Sequence, residues 1–208
     1  MDRNSKKIIC VGREYGSGGK EIGVKLSQKL QIPCYDKELL AEAAKESGIV
    51  ESVFETHDEK FRALVDCGWE SGNASADLAT EESNYYLSDD KIYLLMSRTI
   101  THLAEQGPCI FIGRCAAGVL EERKDVLSVF IHAERKERVK RISEQIQLDE
   151  KKAEALIKKT DRQRAHYHNH YAVGKWGEAD TYDMTFSSSS LGIETIVSVL
   201  EEIINGCV

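Results

Sequence analysis

Gly12-Arg13-Glu14-Tyr15-Gly16-Ser17-Gly18-Gly19-Lys20 is the stretch on which the reading of this chain turns. Before it, KKIICVG (6–12) is a short apolar run bounded by lysine and glycine, which predicts a buried first strand. After it, EIGVKLSQKL (21–30) sets Ile22, Leu26 and Leu30 at helical spacing and predicts a helix to about Gln31. A glycine-rich turn between a strand and a helix points backbone N–H groups at an anion, and the helix dipole adds attraction. This turn departs from the consensus G-x-x-x-x-G-K-[ST]. With Lys20 as the lysine, Glu14 stands where the first glycine belongs and Glu21 where Ser or Thr belongs. With Gly16-Ser17-Gly18 as the glycine core, Gly19 takes the lysine position and Lys20 comes one residue late. Ser17 carries the turn's one aliphatic hydroxyl for a phosphate or a metal. A tight strand-to-helix turn without a ligand is the alternative.

Outward from the turn, strands and helices alternate. IPCYD (32–36) predicts a second short strand ending at Asp36, and KELLAEAAKESG (37–48) and SVFETHDEKFRALV (52–65) predict helices. Residues 66–90 are small and polar without period, and predict a long, mobile insertion beginning near 64. Ile92, Leu95, Met96, Ile100 and Leu103 mark a helical face that is buried either internally or against a second copy, so a homodimer stays open. PCIFIG (108–113), LSVFIHA (127–133) and TYDMTF (181–186) read as strands three to five. Between the last two runs lies a charged helical tract (134–171), with a break expected near Leu148. SSSSLG (187–192) reads as a turn and IETIVSVLEEII (193–204) as a closing amphipathic helix. The pattern predicts one three-layer α/β domain over 1–208, a five-stranded parallel sheet covered on both faces.

Composition narrows the function. The 208 residues carry a net charge of −7, without the surplus of Lys and Arg a nucleic-acid polymer would require. No apolar run approaches the roughly 20 residues that cross a bilayer, so no membrane partner is expected. The apolar stretch after MDRNSKK is too short for a signal peptide, and a cytoplasmic protein is the expectation. Six cysteines without a C-x-x-C pair fit that compartment. Only two prolines, Pro33 and Pro108, interrupt the chain, which favours long helices. An anionic ligand must therefore meet a local cluster of cations. Arg13 and Lys20 at the turn, Arg114 after a strand, and Arg162 and Arg164 in one later segment are the candidates.

REYGSGGKEIG (13–23), followed by a short strand and YDKELL (35–40), resembles the cytidylate-kinase-like family of P-loop nucleoside-monophosphate kinases. FIGRCAAG (111–118) is similar to the G-R-D-I-G-T segment of cytidylate kinases, and DRQR (161–164) to their D-R-x-x-R lid sequence. Tyr182-Asp183 through Ser187-Ser188 to LGIE (191–194) resembles their last strand, adenine-side turn and C-terminal helix. The resemblance implies a P-loop fold with a helical lid over about 134–175, and transfer of the γ-phosphoryl group of ATP, with Mg²⁺, to CMP or dCMP. On that footing Arg13, Tyr15, Gly16, Ser17, Gly18, Gly19, Lys20 and Glu21 hold the ATP phosphates, with Ser17 toward the metal. Ser187 and Ser188 line the adenine side, Asp36 and Arg114 hold the acceptor, and Arg162, Arg164, Lys20 and Asp161 form the catalytic group. Phosphoryl transfer rewards such cations because charge spreads over the shared phosphate oxygens, which an Arg fork binds in pairs. The chain departs from the pattern at Gly19, Glu21 and Cys115, the last replacing an Asp. There are two rivals: a non-catalytic nucleotide-sensing protein, and a kinase for a non-nucleotide small molecule.

Each residue also has a plainer reading. Asp36 fits a helix N-cap, Arg114 an ordinary ion pair, and Arg162 and Arg164 a solvated helix face. His166, His168 and His170 place two imidazoles at i, i+4, but no acid or cysteine pair accompanies them, so a solvated or lid-lining cluster is expected over a zinc site. Trp176 is expected to anchor the lid on the body, and Cys115 to be a small buried residue.

Overall fold

β1 (Ile8–Arg13) carries the burial that its apolar run demands: Ile8 to Val11 are almost fully enclosed in this computed structural model, which describes residues 7–36 and 82–206. It lies at the centre of a wholly parallel sheet of order β2-β3-β1-β4-β5. β3 (Cys109–Ile112) and β4 (Val126–His132) flank it, with Ile8 opposite Cys109 on one side and Val126 on the other. β2 (Cys34–Tyr35) and β5 (Met184–Ser187) form the edges. Strands buried on both faces need apolar side chains at every position, which is why these runs do not alternate with polar residues.

The period of two along β1 divides the core. Ile8 and Cys10, with Phe111, face α2 (Glu82–Gln106) and α3 (Ala116–Val119) through Leu95, Met96, Ile100, Leu103 and Ala116. Ile9 and Val11, with Ile112, Val129 and Ile131, face α1 (Gly19–Leu30) and α7 (Ile193–Ile204) through Ile22, Leu26, Ile196, Val197 and Leu200. The helical face that began at Ile92 in the sequence is thus spent on the internal core from Leu95 to Leu103.

The charged tract folds as α4 (Arg135–Ile146) and α5 (Glu150–Tyr171), broken at the expected place. Gln147 takes a left-handed backbone (φ 54°), and Asp149 caps α5 by accepting from the Lys152 N–H at 2.9 Å. Ile142, Ala153 and Ile157 form a small core between the two helices, and Tyr15 packs on it. After α5 come a 3₁₀ turn (Ala179–Thr181), β5, and α6 (Ser188–Leu191).

Two expectations need correction. Residues 82–90 are not part of a loop: they open α2, because a helix already nucleated on the core extends at little cost through polar residues. Stacking of Tyr93 on Tyr171 (4.1 Å) and donation from Tyr171 Oη to Asp90 (2.6 Å) brace that extension. SSSSLG is not a plain turn but the helix α6, whose first turn Ser187 caps by accepting from the Ser190 N–H. The helices expected over 37–48 and 52–65 and the insertion over 64–81 lie outside the described residues. No described helix is long and apolar enough to cross a membrane.

Candidate functional site

β1 and β3 are neighbours, yet the chain leaves them toward opposite faces, to α1 and to α3. That opens a crevice at their C-terminal ends, the usual ligand position in an open parallel sheet. Gly12 to Gly19 lines one side. Gly16 (φ 82°) and Gly18 (φ 81°) adopt left-handed backbones closed to most side chains, and Gly18 caps α1 without any side-chain partner. Gly18 thus brings no side chain to the N–H groups of the first turn of α1.

Arginines from α4 and α5 surround this turn. Arg138, 6% exposed, pairs with Glu14 (3.0 Å) and with Asp161, and its Nε donates to the Tyr15 carbonyl (2.8 Å). Asp161 Oδ1 accepts from the Tyr15 N–H (2.8 Å), and Glu14 Oε2 accepts from the Ala133 N–H (3.0 Å). Arg141 donates to the Gly16 carbonyl (2.6 Å). Arg164 donates to the Arg13 carbonyl (3.1 Å) and lies 5.4 Å over the Tyr15 ring. Burial pulls the Arg164 pKa down, while Asp161 and Tyr15 oppose that. Opposite, Ser188 Oγ donates to the Ser17 carbonyl (2.7 Å), which ties α6 to the turn.

The sequence candidates divide accordingly. Arg13, Tyr15, Gly16, Ser17, Gly18, Gly19, Asp161, Arg164 and Ser188 come together at the turn, Asp161 as part of its clamp. Ser17 is fully buried and its hydroxyl donates to the Glu14 carbonyl (2.9 Å). Lys20 forms an ion pair with Asp36 (2.6 Å). Glu21 pairs with Lys25 one helical turn on (3.0 Å), Ser187 caps α6, and Arg162 is exposed on α5.

Sequence reasoning missed Arg138, Arg141 and Glu14. Their signal is faint: Arg138 shares a helix face with Ile142, four residues on, inside a tract whose other charges are solvated.

Across the crevice, Gly113 (φ 79°), Arg114 (φ 56°) and Cys115 (φ 53°) are three successive left-handed residues. Two non-glycine residues there hold about 1–3 kcal/mol of strain each, of the kind found at ligand clamps. The Arg114 guanidinium lies 5.7 Å from the centroid of the Tyr167 ring. Cys115 is buried, and desolvation pushes its thiol up to about 12 against the pull of Arg114. Its Sγ meets His168 Nδ1 at 4.0 Å. His168 is buried too, which lowers its pKa, and its Nε2 has no hydrogen-bond partner. His166 and His170 are exposed, and no group of three or more metal-ligating side chains forms among the described residues. Trp176 meets Phe130 of β4 edge-on at 5.3 Å, as an anchor would.

Comparison with known proteins fits this geometry. The model of the cytidylate kinase-like family matches residues 8–190. This chain belongs to the cytidylate kinase-like family. Among solved structures, this cytidylate kinase-like chain is similar to an uncharacterized protein from Eubacterium ventriosum, at 28% identity and a TM-score of 0.71 over 95% of this chain and 98% of that one. A shikimate kinase from Bacteroides thetaiotaomicron shares the fold at 13% identity, with a TM-score of 0.51 over 95% of this chain and 98% of that one. No curated protein matches the sequence. Family and fold are those of P-loop kinases, and the cytidylate kinase-like match spans both sides of the crevice.

Proposed function

We propose that the chain is an ATP-dependent phosphotransferase that moves the γ-phosphoryl group to a nucleoside monophosphate, CMP or dCMP. One observation carries this reading. In a chain of net charge −7, arginines from β1, α4 and α5 gather around a glycine turn whose N-cap offers no side chain, and Arg114 stands beside Tyr167 across the crevice. A polyphosphate answers both needs.

In this reading the N–H groups of the turn and of α1's first residues hold the ATP phosphates, and Ser187 and Ser188 lie on the adenine side. Arg114, kept in its strained backbone, holds the acceptor phosphate, with Asp36 on the acceptor side. Arg164 and Arg141 now donate to carbonyls of the turn. Ionised phosphate oxygens are stronger acceptors, so these groups transfer to phosphate by side-chain rotation. Arg162 joins them as the proposed lid of α4 and α5 closes. Mg²⁺, carried with ATP, would neutralise phosphate charge, and Ser17, whose oxygen keeps its lone pairs while the hydroxyl donates to the Glu14 carbonyl, is the turn residue that would hold it. A monophosphate acceptor is already anionic at neutral pH, so positioning and charge neutralisation suffice without a general base.

Incubation with ATP, Mg²⁺ and separate nucleoside monophosphates tests the reading. ADP should form with CMP or dCMP, and Arg114→Ala should raise the acceptor KM and cut kcat/KM at least ~100-fold with thermal stability retained. Measurable ATP binding without turnover on any monophosphate would reject the acceptor class. Cys115, buried where the family pattern has an Asp, then favours a non-nucleotide acceptor.

A further inference from the structure

We infer that Arg13 supplies the phosphate-loop cation that the sequence lacks, taking over the work of the lysine missing at position 19. The inference rests on the ATP reading above and names the group that meets the transferring phosphate.

The structure fixes the register of the turn. Gly18 is the left-handed cap and Gly19 the first residue of α1, so position 19 is where the lysine of G-x-x-x-x-G-K-[ST] would stand. No side chain fits there: a Cβ on Gly19 would lie 2.6 Å from Arg13 Cβ, 3.1 Å from its Cγ and 3.3 Å from Ile131 Cβ. The stem of Arg13 fills the space. Its far end reaches the exit of β3, where a Cβ on Gly113 would lie 1.9 Å from Nη1 and 2.9 Å from Cζ. One arginine thus spans the crevice between β1 and β3, and two glycines are bare where it passes. The Arg13 carbonyl accepts from Arg164, which fixes this strand end to α5.

Lys20 is the rival for the role. Its ammonium is paired with Asp36 at 2.6 Å and its side chain is 65% exposed, whereas Arg13 lies at the switch point itself. The chemistry of the exchange is coherent. A guanidinium is always charged and offers paired N–H groups to two phosphate oxygens, where an ammonium offers a point charge.

The test is phosphoryl transfer and calorimetric ATP binding on the full chain, with folding of each variant checked by thermal melting. Arg13→Ala should lower kcat at least ~100-fold, the usual loss for one preorganised donor to transition-state charge. With Arg13→Gly, which also removes the Cβ that stands 2.6 Å from a Cβ at position 19, adding Gly19→Lys should recover at least ~10-fold over Arg13→Gly alone. Arg13→Lys, which keeps a stem and a charge, should fold and lose about 10-fold if paired oxygens are bound. Undiminished kcat in Arg13→Ala would overturn the assignment, and so would a double variant no better than the single. Loss in Lys20→Ala with Arg13→Ala intact would give the role to Lys20. A wild-type chain that binds and transfers nothing would instead remove the ATP reading and this inference with it, which separates the two failures.

Discussion

Arg138 holds Glu14, Asp161 and the Tyr15 carbonyl at once, so the shape of the glycine turn depends on a residue 123 positions away. Removing it leaves two carboxylates facing each other with their shared counter-charge gone. Arg138→Ala should therefore destabilise the fold by about 2–3 kcal/mol in urea titration, less than a fully enclosed pair because Glu14 and Asp161 keep some solvent contact. Arg138→Lys should restore only part, since one ammonium cannot serve all three partners. An unchanged midpoint in Arg138→Ala would show that the clamp holds nothing. In the sequence this residue is one charge among many. Nothing in a one-dimensional tract tells a buried arginine from a solvated one, except its place on the face of Ile142. Ser17 differs: its type was legible in the turn, but its burial and its donation to the Glu14 carbonyl were not.

At the scale of elements, the five strands were legible as short continuous apolar runs, and periodicity served well for α7, a helix with one apolar face. It failed at 82–90, where the chain is helical because the apolar turns from Leu95 onward nucleate α2, and at α6, where serines cap a short turn of helix instead of ending one. The α4–α5 pair has its own small core, and this makes a prediction about autonomy. Ile157→Ala deletes the contact at its centre and should cost about 3 kcal/mol. If the pair opens as a unit, amide exchange should quicken across 135–171 while β1, β3 and β4 stay protected. Exchange that quickens equally in the sheet would contradict a separately opening lid.

For the whole molecule, the fold was readable because the sheet is built from short continuous apolar runs in an order that one crossover rule satisfies. The site was readable only where it is local, in the turn at 12–20 and in the segment after β3. Its remaining parts are brought together by packing: Arg138 to Glu14, Asp161 to Tyr15, Arg13 across to Gly113. No spacing in the sequence encodes those meetings. Transfer of a phosphoryl group between nucleotides is the work proposed for this assembled crevice. Tracing the label from ATP carrying ³²P at the γ position, with Mg²⁺ and CMP or dCMP, tests it most directly. Label should appear in the nucleoside diphosphate and disappear from it in Arg114→Ala. Label released only as inorganic phosphate, or retained in ATP while ATP is bound, would contradict such transfer.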